Sequence, residues 1–391
     1  MAPIPNNQPA NRLRQIQTLG QSVWQDNITR GQIQTGQLKQ LIATDGISGV
    51  TSNPSIFEKA IAAGAEYDTA IRELVRQNRD TAAILDQMII EDIQATADLF
   101  RPVWEAAHHH DGFVSIEVAP SLARDTQGTI KEARRLWAAV NRPNILVKIP
   151  GTAEGVPAIR QCLAEGININ ITLLFSIDHY EAVAGAFIEA LEQRVAKGLP
   201  LDNIASVASF FVSRVDTITD KAINAKLSTE TNPQRKAQLE SLLGRIAVAN
   251  AKMAYARFEE IFSPSNARFA HLQSQGAQFQ RPLWASTSMK DPKRRDVYYV
   301  EELLAPHTVN TMPDQTIDAF RDHGEVRGIT AKEDLAGERA RLALLKQLGI
   351  DLDALTAELE NDGIRLFSEA FEKLTSETAH KIEKLQATTV N

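Results

Sequence analysis

The sequence predicts an α/β fold, a closed (β/α)8 TIM-type barrel with additional helices, on three observations. Eight short apolar, β-branched runs bounded by turn residues recur along the chain, as buried strands do. Amphipathic helical stretches separate most of them, which implies parallel pairing through crossovers. No glycine-rich phosphate loop follows an early strand, as a doubly wound open sheet would usually carry; the second run leads instead into TSNPSIFEKAI.

In order the runs are QSVWQDN (21–27), GISGVTSN (46–53), FVSIEVAP (113–120), NILVKIP (144–150), INITLLFS (169–176), IASVASFFVS (204–213), RPLWASTS (281–288) and HTVNTMP (307–313). PSLARDTQGTIKEARRLWAAV and SIDHYEAVAGAFIEALEQRVAKG are two of the helical stretches between them. The connection 54–112 exceeds one crossover helix and should hold two or three. Residues 216–260 read as helical and highly charged, interrupted by a turn at TNPQR. From about 327 onward Glu, Lys, Leu and Ala dominate with no strand signal, so helices packed on the barrel are expected. There is no internal repeat or low-complexity linker. Residues 1–391 therefore read as one domain: a barrel over 16–326 with helical insertions, and C-terminal helices over 327–391.

The chain has 391 residues, 43% hydrophobic and 23% charged, an ordinary soluble mix. A net charge of −7 argues against nucleic acid or an anionic membrane as partner, while leaving room for a local basic pocket. The single cysteine, Cys162 in PAIRQCLAEG, reads as a core residue and suits a reducing compartment. No run approaches the ~18 apolar residues of a membrane span. The N-terminal MAPIPNNQPANRLRQIQ lacks an apolar leader core, and a cytoplasmic protein is expected. The triplet His108-His109-His110 reads as a solvated loop, because adjacent histidines do not converge on one ion within a helix or strand. No metal or cofactor is expected.

In such barrels chemistry sits at the C-terminal ends of the strands. Polar residues gather there: Asp26 on the first strand, Thr51 and Asn53 on the second, Glu117 on the third and Lys148 on the fourth. Asn170 and Thr172 share the inward face of the fifth, Ser209 ends the sixth, and Ser286 and Ser288 end the seventh. Lys148 is the conspicuous member, since an ammonium ion is costly to bury. A neutral lysine amine attacks ketones to form a Schiff base, an electron sink for cleaving or making the adjacent carbon–carbon bond. Glu117 and Asp26 supply carboxylates for the proton transfers. The plainer alternative is a structural lysine paired with Glu117.

Seven ordered blocks then resemble the transaldolase family in its longer bacterial form: GVTSNPSIFEKAI, VSIEV followed by LARDT, ILVKIPGTAEGVPAI, NITLLFS, VASFFVSRVD, LWASTSMKDP and TVNTMP. The resemblance, from about Gln21 to His323, implies a barrel with Lys148 as the Schiff-base nucleophile. It implies that Asp26 takes the proton of the sugar C4 hydroxyl and that Glu117 works through a water near Thr172. Asn53 and Asn170, with Thr51 and Ser209, would hold the dihydroxyacetone hydroxyls; Arg214 and Ser286 would bind phosphate. Plainer readings remain for several: Asp26 or Asn53 as helix caps, Ser209 and Ser286 as small residues, Arg214 paired with Asp216. Two positions depart from the family pattern. Ala119 replaces an acid two residues after Glu117, and Ser288 replaces a second arginine, with Lys290 as the nearest basic substitute.

The resemblance implies transfer of a dihydroxyacetone unit from sedoheptulose 7-phosphate or fructose 6-phosphate to erythrose 4-phosphate or glyceraldehyde 3-phosphate. The setting would be the pentose phosphate pathway, with no cofactor and a monomer or homodimer. One rival is a fructose 6-phosphate aldolase, whose relatives carry a tyrosine on the sixth strand where this chain has Phe211. The other is a barrel that binds sugar phosphates without turnover.

Overall fold

A computed structural model describes residues 11–387. Residues 1–10 and 388–391, including most of the stretch read above for a leader, lie outside the described residues. Eight parallel strands pair in chain order: β1 (Gln21–Gln25), β2 (Gly49–Val50), β3 (Val114–Glu117), β4 (Ile145–Pro150), β5 (Ile169–Leu174), β6 (Ser206–Phe211), β7 (Gln280–Ala285) and β8 (Thr308–Met312). The β1–β8 pairing, from Gln21 against Thr308 to Gln25 against Met312, closes the ring. Among strand residues only Glu117 and Arg281 are partly exposed. Burial on both faces explains the apolar bulk of the runs; the polar residues within them, such as Gln21, Gln25, Asn170 and Thr172, are buried too.

Two irregularities shape the mouth. β2 has only two residues, far fewer than GISGVTSN suggested. Gly49 lies against the Trp24 indole, where a Cβ would come within 2.6 Å of ring atoms, so its neighbour supplies the bulk. The β5–β6 register slips between Ile171 and Leu174, and Leu173 takes φ 62. A bulge of this kind re-aims side chains beside a site.

The 54–112 connection holds three α-helices, Pro54–Ala63, Asp68–Arg76 and Thr81–Ala106. The 216–260 segment belongs to three more, Ser213–Leu227, Pro233–Leu242 and Ile246–Ile261. The segment is helical as expected, but its last helix is not a solvated one. Its residues Ile246 to Tyr255 are all buried, Lys252 among them, which pairs with Glu302 (3.5 Å) and Glu338 (3.8 Å). The tail forms helices Leu335–Gln347 and Leu352–Ala387. The second, 36 residues long, packs on the Pro54 helix, on β5 and on the Ser213 helix, and so crosses the barrel mouth.

The histidine triplet lies in a turn before β3, with His108 and His110 exposed as expected and His109 partly covered. His109 stacks on Trp104 at 3.6 Å, and the His110 carbonyl accepts from Arg281 at 3.0 Å. Among the described residues no group of three or more metal-ligating side chains converges, and no helix is long and apolar enough to cross a membrane. Cys162 is buried, and desolvation pushes its thiol up to about 12, as a core residue requires.

Candidate active site

A cavity of about 200 Å³ opens at the C-terminal ends of the strands. Lys148, from β4, lies beside it with its side chain 7% exposed. Parallel register sets Glu117 of β3 directly opposite Lys148, and the lysine Nζ donates to Glu117 Oε2 and to the Ser52 carbonyl, each at 3.2 Å. Burial holds Glu117 above the usual carboxylate range, against the opposing pull of Lys148, with the charge of Asp26 adding a smaller upward push. Asp26 is raised by the same cause, burial, opposed by Lys148 and by the Thr51 hydrogen bond. Two buried carboxyls that hold protons unusually well beside an amine suit acid–base work.

Asp26 is not a helix cap. Its backbone N–H donates to Met312 O at 2.8 Å, Thr51 Oγ1 donates to its Oδ1 at 2.7 Å, and Thr29 caps the next helix instead. Asn53 is a cap, accepting from Ile56 N at 3.1 Å, and its side chain also lines the cavity. The two readings of Asn53 therefore coexist. Thr172 lines the cavity with a buried hydroxyl that has no hydrogen-bond partner among the described residues. Ser209 lines it too and donates to Asn170 Oδ1 at 2.7 Å. Asn170 donates its Nδ2 to Ser115 Oγ at 2.9 Å, is fully buried, and does not line the cavity. It steadies Ser209 from behind. Glu117 likewise stands behind the lining and reaches the cavity through Lys148.

The opposite wall is cationic. Arg214, just past β6, sits 5.5 Å over the Phe211 ring. Burial disfavours its charge, opposed by Asp362. Among the described residues it has no hydrogen bond and no carboxylate within ion-pair distance. The alternative pairing with Asp216 is absent, since that carboxylate accepts from Ala247 N (2.7 Å) and Tyr299 Oη (2.9 Å). Ser286, at φ 56, pairs its hydroxyl with Ser213 at 2.8 Å. Lys290 is exposed, donates to Ser288 Oγ at 2.8 Å, and lines the outer cavity with it. Phe211 lines it as well, packed on Phe175 at 5.1 Å.

The sequence reading missed Thr311, whose hydroxyl meets that of Thr51 at 2.6 Å, and Phe367, which the C-terminal helix brings 5.4 Å from Lys148 Nζ. A larger groove of about 740 Å³ adjoins at Asp26 and Pro313, but it contains no other member of the strand-end set. The cavity thus joins a buried amine, two proton-holding carboxyls, hydroxyl groups and two cations, a set suited to imine chemistry on a phosphorylated ketose.

Comparison with known proteins identifies the family. The chain matches the family model described as transaldolase/fructose-6-phosphate aldolase over residues 23–378. It is 44% identical to a transaldolase of Trichodesmium erythraeum over 376 residues, covering 96% of this chain and 98% of that protein. It is 45% identical to a transaldolase of Thermobifida fusca (95% and 98% covered) and 45% identical to transaldolase 2 of a Nostoc species (96% and 98% covered). With the closed barrel, the strand-end lysine and near-complete coverage in hand, the chain belongs to the transaldolase/fructose-6-phosphate aldolase family.

Proposed function

We propose that the protein is a transaldolase. It moves a dihydroxyacetone unit from sedoheptulose 7-phosphate or fructose 6-phosphate to glyceraldehyde 3-phosphate or erythrose 4-phosphate, in the cytoplasm, as a step of the pentose phosphate pathway. The observation that carries the reading is Lys148 Nζ, buried at the mouth 3.2 Å from Glu117, in a cavity that also holds Asp26.

The lysine amine adds to the ketone carbon, and the carbinolamine loses water to give an iminium ion. Asp26 takes the proton from the C4 hydroxyl as the C3–C4 bond breaks. The bonding electrons pass to the iminium and leave an enamine, and the shortened aldose phosphate departs. The enamine then attacks the acceptor aldehyde, and Asp26 returns a proton to the new alkoxide. Glu117 moves protons for dehydration and for the final hydrolysis, through a water that the Thr172 hydroxyl can hold. Thr51, Asn53 and Ser209, the last braced by Asn170, grip the dihydroxyacetone hydroxyls. Arg214, Ser286 and Lys290 take the phosphate, where a lysine serves as a point charge. The family name also covers aldolases that release free dihydroxyacetone. Phe211 favours transfer, because a phenyl ring offers no donor to hold or polarise a hydrolytic water.

Borohydride reduction in the presence of fructose 6-phosphate tests the reading. The protein is expected to trap one dihydroxyacetone equivalent, and Lys148→Ala to trap none while keeping its fold. Trapping that survives this substitution assigns the chemistry to another lysine.

A further inference from the structure

The C-terminal helix Leu352–Ala387 does more than cover the barrel. Gly363 and Phe367 stand four residues apart, on one face of it. Gly363 fits against Leu173, the bulged residue of β5: a Cβ there would come within 2.7 Å of Leu173 Cδ2. One turn further, Phe367 reaches into the catalytic cavity, its ring centroid 5.4 Å from Lys148 Nζ. The helix is pegged on both sides of this contact. Upstream, Glu360 meets His179 (3.3 Å) and Arg124 (3.6 Å). Downstream, Lys373 pairs with Glu58 (3.0 Å), and Lys381 pairs with Asp68 (3.1 Å) and donates to the Ile61 carbonyl (2.9 Å). The ring therefore comes from a segment fixed to the barrel, about 220 residues beyond the lysine in the chain.

We propose that Phe367 is a specificity-determining residue that shields the Lys148 enamine from bulk water, leaving only the water held at Glu117 and Thr172 for the final hydrolysis, and so commits the bound three-carbon unit to an aldehyde acceptor. This rests on the Schiff-base reading above. Escape from the enamine needs two steps. A proton must reach the carbon released by C3–C4 cleavage, which restores the iminium. A water must then add to the iminium carbon, after which the C–N bond breaks, freeing dihydroxyacetone and the lysine amine. An aromatic face over the nitrogen supplies no proton and displaces water, and its π-cloud favours the cationic iminium. Phe211 closes the cavity from the barrel side; Phe367 closes it from the helix side.

The test compares two rates on the full chain with fructose 6-phosphate: release of free dihydroxyacetone without acceptor, and transfer to erythrose 4-phosphate. Phe367→Ala is expected to raise the release-to-transfer ratio about tenfold or more, with borohydride trapping retained. Phe367→Leu, which restores most of the apolar volume, is expected to return the ratio to within about threefold of the parent. Leu366→Ala, at the exposed neighbouring position, controls for general loosening of the helix and should leave the ratio unchanged. A parent-like ratio in Phe367→Ala, with trapping intact, overturns the proposal. So does an equal rise in Leu366→Ala, which would make the effect one of helix stability. If Phe367→Ala does not fold, a parent-like ratio in both Phe367→Leu and Phe367→Val overturns it, and a rise in the smaller valine alone supports it. Failure of the parent to trap at all would instead remove the Schiff-base reading itself.

Discussion

At the N-terminal end of the barrel, Arg281 donates to Ser22 Oγ and to the carbonyls of Thr308 (2.6 Å) and His110 (3.0 Å). At the other end, Arg214 donates to nothing among the described residues and lies over an aromatic ring. The carboxylates differ in the same way. Asp111 at the base accepts from Trp24 Nε1 (2.8 Å) and from Ser22, while Asp26 at the mouth has one side-chain donor, Thr51. The contrast lies in the charged groups: among neutral ones, the Thr172 hydroxyl at the mouth is buried without a partner among the described residues, but so are the amide oxygens of Gln21, Asn144 and Gln280 toward the base. Polar groups that satisfy one another close a structure. Polar groups held in place with spare capacity are available to a substrate, and keeping them so costs stability.

Substitutions should separate the two ends. Glu117→Gln is expected to slow imine formation and hydrolysis by ~10²–10⁴-fold in single-turnover measurements, with phosphate binding little changed. A change under about tenfold would reassign Glu117 to the structural class. Arg214→Ala is expected to raise KM for phosphorylated donors by roughly 10–100-fold, the worth of a charged hydrogen bond, and to affect unphosphorylated donors little. Equal effects on both would move Arg214 out of the phosphate site. Arg281→Ala should do the reverse, lowering stability by about 1–3 kcal/mol because the Ser22 oxygen and the Thr308 carbonyl lose their donor, with kcat of the folded protein retained. A kcat loss at unchanged melting temperature would contradict the division between the ends.

Asp216 sharpens the comparison, because it lies beside the mouth yet is fully paired. Burial raises it from 3.8 to about 6. The folded protein therefore binds this proton more tightly than the unfolded chain does. The stability it contributes is complete below about pH 4 and is lost as pH rises through about 6. Asp216→Asn removes that titration, so the melting temperature of the variant relative to the parent should climb between about pH 4 and 7. A difference that stays flat across this window would contradict the raised value.

The strands were legible because burial on both faces writes a largely apolar run, and the strand-end polar residues stood out against it. Lys148 and Glu117 follow from register alone once β3 and β4 pair. Other features had no local signature. The short β2 depends on Trp24 filling the space beside Gly49, a contact between strands that no single run encodes. Phe367 lies in a tail whose composition reads as a surface helix, and only docking through Gly363 on the β5 bulge gives it a role. The contact of Lys290 with Ser288 at the cavity rim depends on the loop after β7, whose path no local pattern encodes. The charge of 216–260 did not reveal that its last helix is buried, with Lys252 paired to Glu302 and Glu338 inside the fold.

Asn53 has a consequence for which sequences this site can tolerate. Its Oδ1 starts the helix Pro54–Ala63 by accepting from Ile56 N, and the same side chain borders the cavity. Helix capping alone would accept Ser, Thr or Asp at a cost of well under about 1 kcal/mol. Ionised Asp offers no donor for a sugar hydroxyl, and Ser or Thr offers only a shorter O–H in place of the amide N–H. Glutamine has the donor, but its longer chain misplaces the cap. On the binding role proposed above, helix capping and substrate recognition meet on one amide. Any variant made there to probe binding will also loosen the helix on which the C-terminal helix rests.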